Sequence, residues 1–225
     1  MRTIISITLS FYLLFSCSEK RETSETMSKP QSISFEDLQW MNEPEVVALE
    51  GSKISITADK GTDFFNNPEN GDISASAPFL YQIVEGDFVA TVQTTPDFSA
   101  MWNAGVLMVH IDSLNWIKFA FENSDATGKS IVSVVTRGVS DDANGAILSD
   151  VNTAWLRMIK KDDLYALHWS SNGKDFKMAR LSKMPAAKSV KIGIEAQCPV
   201  GETATHVFSD FSIEKRSVED LRKGL

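Results

Sequence analysis

Two glutamates, and the polar side chains that share their strands, are the residues of this chain best placed to do chemistry. In Asn115–Glu122 (NWIKFAFE) strict alternation sends Ile117, Phe119 and Phe121 one way and Trp116, Lys118, Ala120 and Glu122 the other. In Ser189–Gln197 (SVKIGIEAQ) it separates Lys191, Gly193, Glu195 and Gln197 from Ile192, Ile194 and Ala196. Trp155, Arg157 and Ile159 share a face in the same way. Indole rings beside Lys, Arg, Glu and Gln suit a sugar, because a pyranose offers an apolar C–H face to the indole and hydroxyls to planar hydrogen-bonding groups. The expected ligand-binding set is therefore Trp116, Lys118, Glu122, Trp155, Arg157, Glu195 and Gln197. The competing expectation is a solvated outer sheet face whose tryptophans merely cover backbone.

Glu122 and Glu195 are also the weak candidates for a catalytic pair, since glycoside hydrolysis needs two carboxyls across the scissile bond, about 5–10 Å apart according to stereochemistry. Against this, the E-x-D-x-x-E strand motif of laminarinase-like enzymes is missing, and ion pairs with Lys118, Arg157 or Lys191 would occupy both glutamates. Other chemistry has less support. His110, His168 and His206 fall on separate strands without metal-ligand spacing, and the chain has no G-x-S-x-G elbow and no phosphate-cradling glycine loop. Asp141-Asp142 and Asp162-Asp163 raise the question of a surface calcium. Adjacent aspartates point opposite ways along a strand, so the expectation is no metal and no cofactor.

The elements that must position these residues are strands. Runs rich in Val, Ile, Phe and Trp with period two predict strands at Lys53–Thr57, Phe79–Val84, Asp87–Thr94, Ala104–Ile111, Asn115–Glu122, Ser130–Thr136, Ala154–Lys160, Leu164–Ser170, Ser189–Gln197 and His206–Glu214. Turn residues such as Glu85-Gly86-Asp87 and Asn172-Gly173 separate them. Many short strands at this spacing predict an all-β fold, an antiparallel β-sandwich over residues 33–216, with a short helical tail over 217–225 in which Val218 and Leu221 pack. The formal net charge of −8 argues against nucleic acid, which requires a basic face.

The N-terminus predicts export. Arg2 precedes an apolar run from Ile4 to Phe15, of signal-peptide length and too short for a membrane span, and Leu14-Phe15-Ser16-Cys17 resembles the lipobox of bacterial lipoproteins. The resemblance implies a signal peptide over 1–16, lipid on Cys17 as the membrane partner, and a cell-envelope location, periplasmic or on the outer surface. Residues 17–32 are almost devoid of apolar side chains and read as a tether. Cys198 is then the one cysteine left in the folded part, so no internal disulfide is expected.

Several segments also carry a family resemblance: Trp40-Met-Asn-Glu-Pro44, Asp63-Phe64-Phe65, Ala104-Gly105-Val106-Leu107-Met108-Val109, Trp116-Ile117-Lys118, Glu122, Ser133-Val134-Val135-Thr136-Arg137 and Trp155-Leu156-Arg157. In this order and spacing they resemble the uncharacterised domain family that includes the yeast regulation-of-enolase protein. Ala196-Gln197-Cys198-Pro199 and Val207-Phe208-Ser209-Asp210-Phe211 are similar to its C-terminal end. The resemblance implies a concanavalin A-like jelly roll and settles no activity. The chain departs from the family pattern at Met101-Trp102-Asn103 and Asp141-Asp142-Ala143. Two readings follow: an envelope-anchored, non-catalytic carbohydrate-binding sandwich, or a protein–protein interaction module of the envelope, with a glycoside hydrolase using Glu122 and Glu195 third.

Overall fold

Period-two alternation organises the described part of the computed structural model, residues 33–225, into sixteen strands and one turn of 3-10 helix at Phe35–Asp37. In chain order these are β1 (Gln39–Met41), β2 (Val47–Glu50), β3 (Lys53–Asp59), β4 (Phe64–Asn66), β5 (Ile73–Ala75), β6 (Phe79–Glu85), β7 (Phe88–Thr95) and β8 (Ala104–Asp112). They continue with β9 (Asn115–Ser124), β10 (Gly128–Arg137), β11 (Val139–Ile147), β12 (Ala154–Lys161), β13 (Leu164–Ser170), β14 (Lys177–Lys183), β15 (Ser189–Gln197) and β16 (Thr203–Glu214). Two seven-stranded antiparallel sheets form, in the orders β1-β6-β15-β8-β9-β10-β11 and β14-β13-β12-β7-β16-β3-β2, and β4 pairs with β5 as a separate hairpin. The result is a jelly-roll β-sandwich, the predicted fold class. All ten predicted strands are present. The six that alternation missed are the four sheet edges, β1, β11, β14 and β2, and the β4–β5 hairpin. Edge strands such as β11 expose most of their residues, so no buried face imposes an apolar period on them.

The main core lies between the sheets and holds Leu107, Ile117, Phe119, Phe121, Leu156 and Phe208, all with no exposed surface. These are inward members of strands read from sequence, and the parity of β9, β12 and β15 gives the faces that the structure has. A second apolar cluster, with Phe64, Phe79, Val106 and Trp116, forms on the outside of the first sheet because the β4–β5 hairpin folds over that face. A third forms outside the second sheet, where Val218 covers Val89, Ile159 and Ala166 and Leu221 packs beside them.

The tail that makes this last contact is a correction to the predicted helix at 217–225. It is a turn, closed by Gly224 N–H donating to Asp220 O (2.8 Å) and Asp220 N–H donating to Leu225 O (2.7 Å). Nine residues are too few to offset helix nucleation, and the Asp220 carboxylate instead accepts from the Arg222 and Lys223 amides.

Gly193 on β15 shows how tightly the site-bearing sheet is built. A Cβ there would lie 2.0 Å from Leu80 O and 2.6 Å from Tyr81 Cα on β6, backbone atoms that no rotamer change can move. Gly193→Ala should therefore destabilise the fold by about 3 kcal/mol; a urea-denaturation midpoint equal to that of the parent would refute the close approach.

Candidate functional site

Registers across the first sheet place the outward side chains in rows. Gly193 on β15, Met108 on β8, Lys118 on β9, Val134 on β10 and Asp142 on β11 form one row; the next holds Glu195, Val106, Ala120, Val132 and Asn144. A third holds Gln197, Ala104, Glu122 and Ser130. Small side chains at Ala104, Val106 and Ala120 keep the floor between β15 and β9 low. Lys118 crosses it, and its Nζ donates to Gln197 Oε1 at 2.7 Å and to Asp63 Oδ1 at 2.6 Å. Asp63 stands just before the hairpin and also accepts from the Phe64 amide at 2.7 Å. Gln197 in turn donates from Nε2 to Trp102 O at 2.8 Å. One buried ammonium thus ties together β9, β15, the hairpin and the 98–103 loop.

Electrostatics follow from that burial. Lys118 keeps its charge, its pKa raised because Asp63 and the nearby Glu195 and Glu122 outweigh the desolvation that would lower it. Glu195 has no exposed surface, neither carboxyl oxygen has a hydrogen-bond partner, and burial pushes its pKa up to about 8. Burial does the same for Glu122, also to about 8, with Lys118 opposing and Asp63, Asp142 and Asp125 reinforcing. The cluster is the Lys118–Asp63 ion pair beside two carboxyls that hold their protons near neutrality, in a poorly solvated place.

Beyond the hairpin the face opens into a cleft of about 510 Å³. Lys118, Glu122 and Gln197 line it on one side, Asp142 and Asn144 on another, and Phe65 and Trp102 supply aromatic surface. Trp102 is 36% exposed and its backbone is left-handed, φ 62°. Its amide donates to Asn123 O at 2.7 Å, and Asn123 Nδ2 holds the Phe98 and Ala100 carbonyls. Sequence reasoning did not select Asp63, Trp102 or Asn144 as site residues. Asp63 belongs to a family motif and Trp102 to a segment that departs from the family pattern, and neither lies on an alternating strand.

The predicted set divides. Lys118, Glu122, Glu195, Gln197 and Trp116 share the outer face of the first sheet, but Glu195 does not line the cleft. Trp116 is 1% exposed beneath the edge of Phe64, so its indole is covered and cannot stack on a ligand. Trp155 and Arg157 belong to β12 in the second sheet and face the opposite side of the molecule, a correction to the expectation of one groove. There Arg157 stacks on Phe176, 3.5 Å from the ring centroid. Parity sorts faces within a strand and cannot say which sheet a strand joins.

Several of the residues weighed for other chemistry have structural roles. His206 is buried, with Nε2 on Gln197 O at 3.0 Å and Nδ1 accepting from the Asp97 amide. Asp141 pairs with Arg180 and Asp163 with Lys183. Among the described residues no group of three or more His, Cys, Asp or Glu side chains could hold a metal ion. Cys198 is a buried free thiol. Cys17 lies outside the described residues.

Comparison with known proteins places this architecture. The family model described as "Protein of unknown function (DUF1349)" matches residues 40–216. Regulation of enolase protein 1 of Saccharomyces cerevisiae is 27% identical over 174 residues, covering 77% of this chain and 87% of that protein. A crystal structure of a functionally unknown protein from Saccharomyces cerevisiae superposes with a TM-score of 0.76 at 26% identity, covering 81% of this chain and 98% of that one. The carbohydrate binding module CBM66 from Bacillus subtilis has the same kind of fold, with a TM-score of 0.52 at 14% identity over 78% of this chain and 95% of that one.

The Lys118 cluster gives the protein a pH signature. The unfolded chain loses the protons of Glu122 and Glu195 near the ordinary value of 4.5, whereas the folded chain holds them to about 8, so stability falls as pH rises through that window. His206 acts oppositely and lower: burial holds it to about 4 against an ordinary 6.5, so its penalty grows as pH falls below 6.5. From pH 6.5 to 8 the glutamates act without that opposition, each with a slope of up to about 1.4 kcal/mol per pH unit. Urea denaturation across this interval should show the parent losing stability and Glu195→Gln losing about half as much; superimposable profiles would contradict the assignment.

Proposed function

The chain belongs to the family described as "Protein of unknown function (DUF1349)", and from that premise and the cleft we propose that it is a non-catalytic carbohydrate-binding sandwich anchored at the cell envelope. The observation that carries the reading is Trp102. A bulky side chain in the left-handed region costs of order 1 kcal/mol, and such strain is retained where the surrounding structure holds it for use. Here its amide donates to Asn123 O and its carbonyl accepts from Gln197 Nε2, and these bonds present a partly exposed indole to a cleft lined by Glu122, Gln197 and Asn144. That is the pairing of an aromatic face with planar hydrogen-bonding groups that a pyranose needs.

Binding is favoured over hydrolysis by the position of Glu195. Two carboxyls must flank a scissile bond, and of the candidate pair only Glu122 lines the cleft. A sealed carboxylic acid with no solvent path offers neither a nucleophile nor a base to a bound sugar. The fold shared with a carbohydrate binding module supports the same reading. The anchor is proposed from Cys17, whose acyl chains would each add about 0.8 kcal/mol per buried methylene of membrane affinity.

Two experiments test the two halves of the proposal. Trp102→Gly removes the stacking surface and relieves the backbone strain, which offsets part of the lost packing, so the variant should stay folded by circular dichroism while losing glycan-array binding; retained binding would sink the cleft as the site. Cys17→Ser should move the chain from the membrane to the soluble fraction on fractionation of expressing bacteria, and unchanged membrane association would remove the lipid anchor.

A further inference from the structure

We infer that the cleft selects sugars bearing a free ammonium group, the cation being held at Glu122 with Asp125 and Asp142 beside it. This deepens the carbohydrate reading and rests on it. Five acidic side chains line the cleft, Asp63, Glu69, Glu122, Asp125 and Asp142, against one base, Lys118. The Lys118 charge is already taken, with Asp63 at 2.6 Å and Gln197 at 2.7 Å. Among the described residues no Lys or Arg pairs with the other four. The adjacent aspartates of β11 make the contrast plain: Asp141 has its own cation, Arg180 at 3.0 Å, while Asp142 lines the cleft without one.

Acidity alone would describe any solvated rim, and Glu122 supplies the independent observation. It is 7% exposed, it lines the cleft, and no described residue is hydrogen-bonded to its carboxyl. A buried carboxyl without a partner costs free energy that a donor arriving in the cleft would recover. An ammonium brings three donors and a positive charge, and Trp102 and Phe65 add ring faces that attract cations. A uronic acid would bring a like charge into the same space, and an N-acetylated sugar would bring none.

A guest cation also changes the protonation of its host. Glu122 faces Lys118 on its own strand, Asp63 at the hairpin, Asp125 in the following turn and Asp142 on β11, and it holds its proton near neutrality. A neighbouring ammonium favours the ionised form, so its binding should expel a proton, and a neutral sugar's should not.

Isothermal titration of the full-length chain at mildly acidic pH, where glucosamine amines are charged, tests this with three tetrasaccharides: β-1,4-glucosamine, its fully N-acetylated form and a polyuronate. The glucosamine oligomer should bind at least about ten-fold tighter than the acetylated one, as one charge-assisted contact requires. It should release a proton, detected as a heat that varies with the buffer's ionisation enthalpy, and weaken as salt is added. Asp142→Asn should reduce the preference and leave the acetylated oligomer's affinity unchanged, and Glu122→Gln should abolish the proton release. Equal or reversed preference overturns the ammonium selectivity while leaving carbohydrate binding standing. Failure of all three sugars to bind folded protein overturns both.

Discussion

Lys118 is the residue on which the rest of the site depends. Removing an ammonium from water costs several kcal/mol, and the cost is tolerable only where opposite charge and hydrogen-bond acceptors surround it. The sequence provides for this by bringing four acceptor side chains from distant parts of the chain to one point: Asp63, Glu122, Glu195 and Gln197. They cannot all be ionised there. One cation neutralises one carboxylate, Asp63, and the low polarity of the place keeps protons on the other two. The charge state of the cleft floor is thus set by a count of one base against three acids, and by the hairpin that withholds water from them.

The hairpin decides where the site can be. Without it, the outer face of the first sheet would be a wet surface with Phe79, Met108 and Trp116 exposed. Phe64 closes over these residues, with ring contacts to Phe79, His110 and Trp116. Asn66 pins the hairpin to β11 through the Ser140 hydroxyl and the Gly138 carbonyl. What stays open is the end of the face beyond Lys118, where Glu122, Gln197, Asp142 and Asn144 stand with Trp102. The covered part explains a buried tryptophan and a sealed Glu195; in the open part polar groups and an aromatic ring line one cleft.

The legibility of the sequence followed the same division. Strands with one face in the core wrote that face into their alternation, so β9 and β15 could be read to the residue and their outward sets Lys118–Glu122 and Glu195–Gln197 named in advance. Sheet membership is a long-range property, so alternation alone gives Trp155 and Arg157 their outward side on β12 but not the sheet that carries them, which lies across the sandwich from Lys118. Alternation gives Trp116 its face but not its environment, because the hairpin that buries it comes from a segment without alternation. Trp102 left no periodic trace at all. It lies in a loop, and its position depends on a left-handed backbone and on Asn123 hydrogen bonds that only the folded chain reveals.

The two outer faces of the sandwich differ in what their covering segments leave unpartnered. On the second sheet, the terminal turn lays Val218 and Leu221 over Val89, Ile159 and Ala166, and His168 Nε2 meets the Leu221 carbonyl at 2.9 Å. Polar groups there find partners within the chain, and Arg157 spends its cation on Phe176. On the first sheet the covering hairpin brings Asp63, which satisfies Lys118 and leaves Glu122 unanswered at the boundary between cover and solvent. A chain that covers both faces with its own segments but leaves a buried acid unpartnered at one margin has put its unmet bonding capacity where a ligand can reach it. That asymmetry, more than the shared fold, directs attention to the cleft.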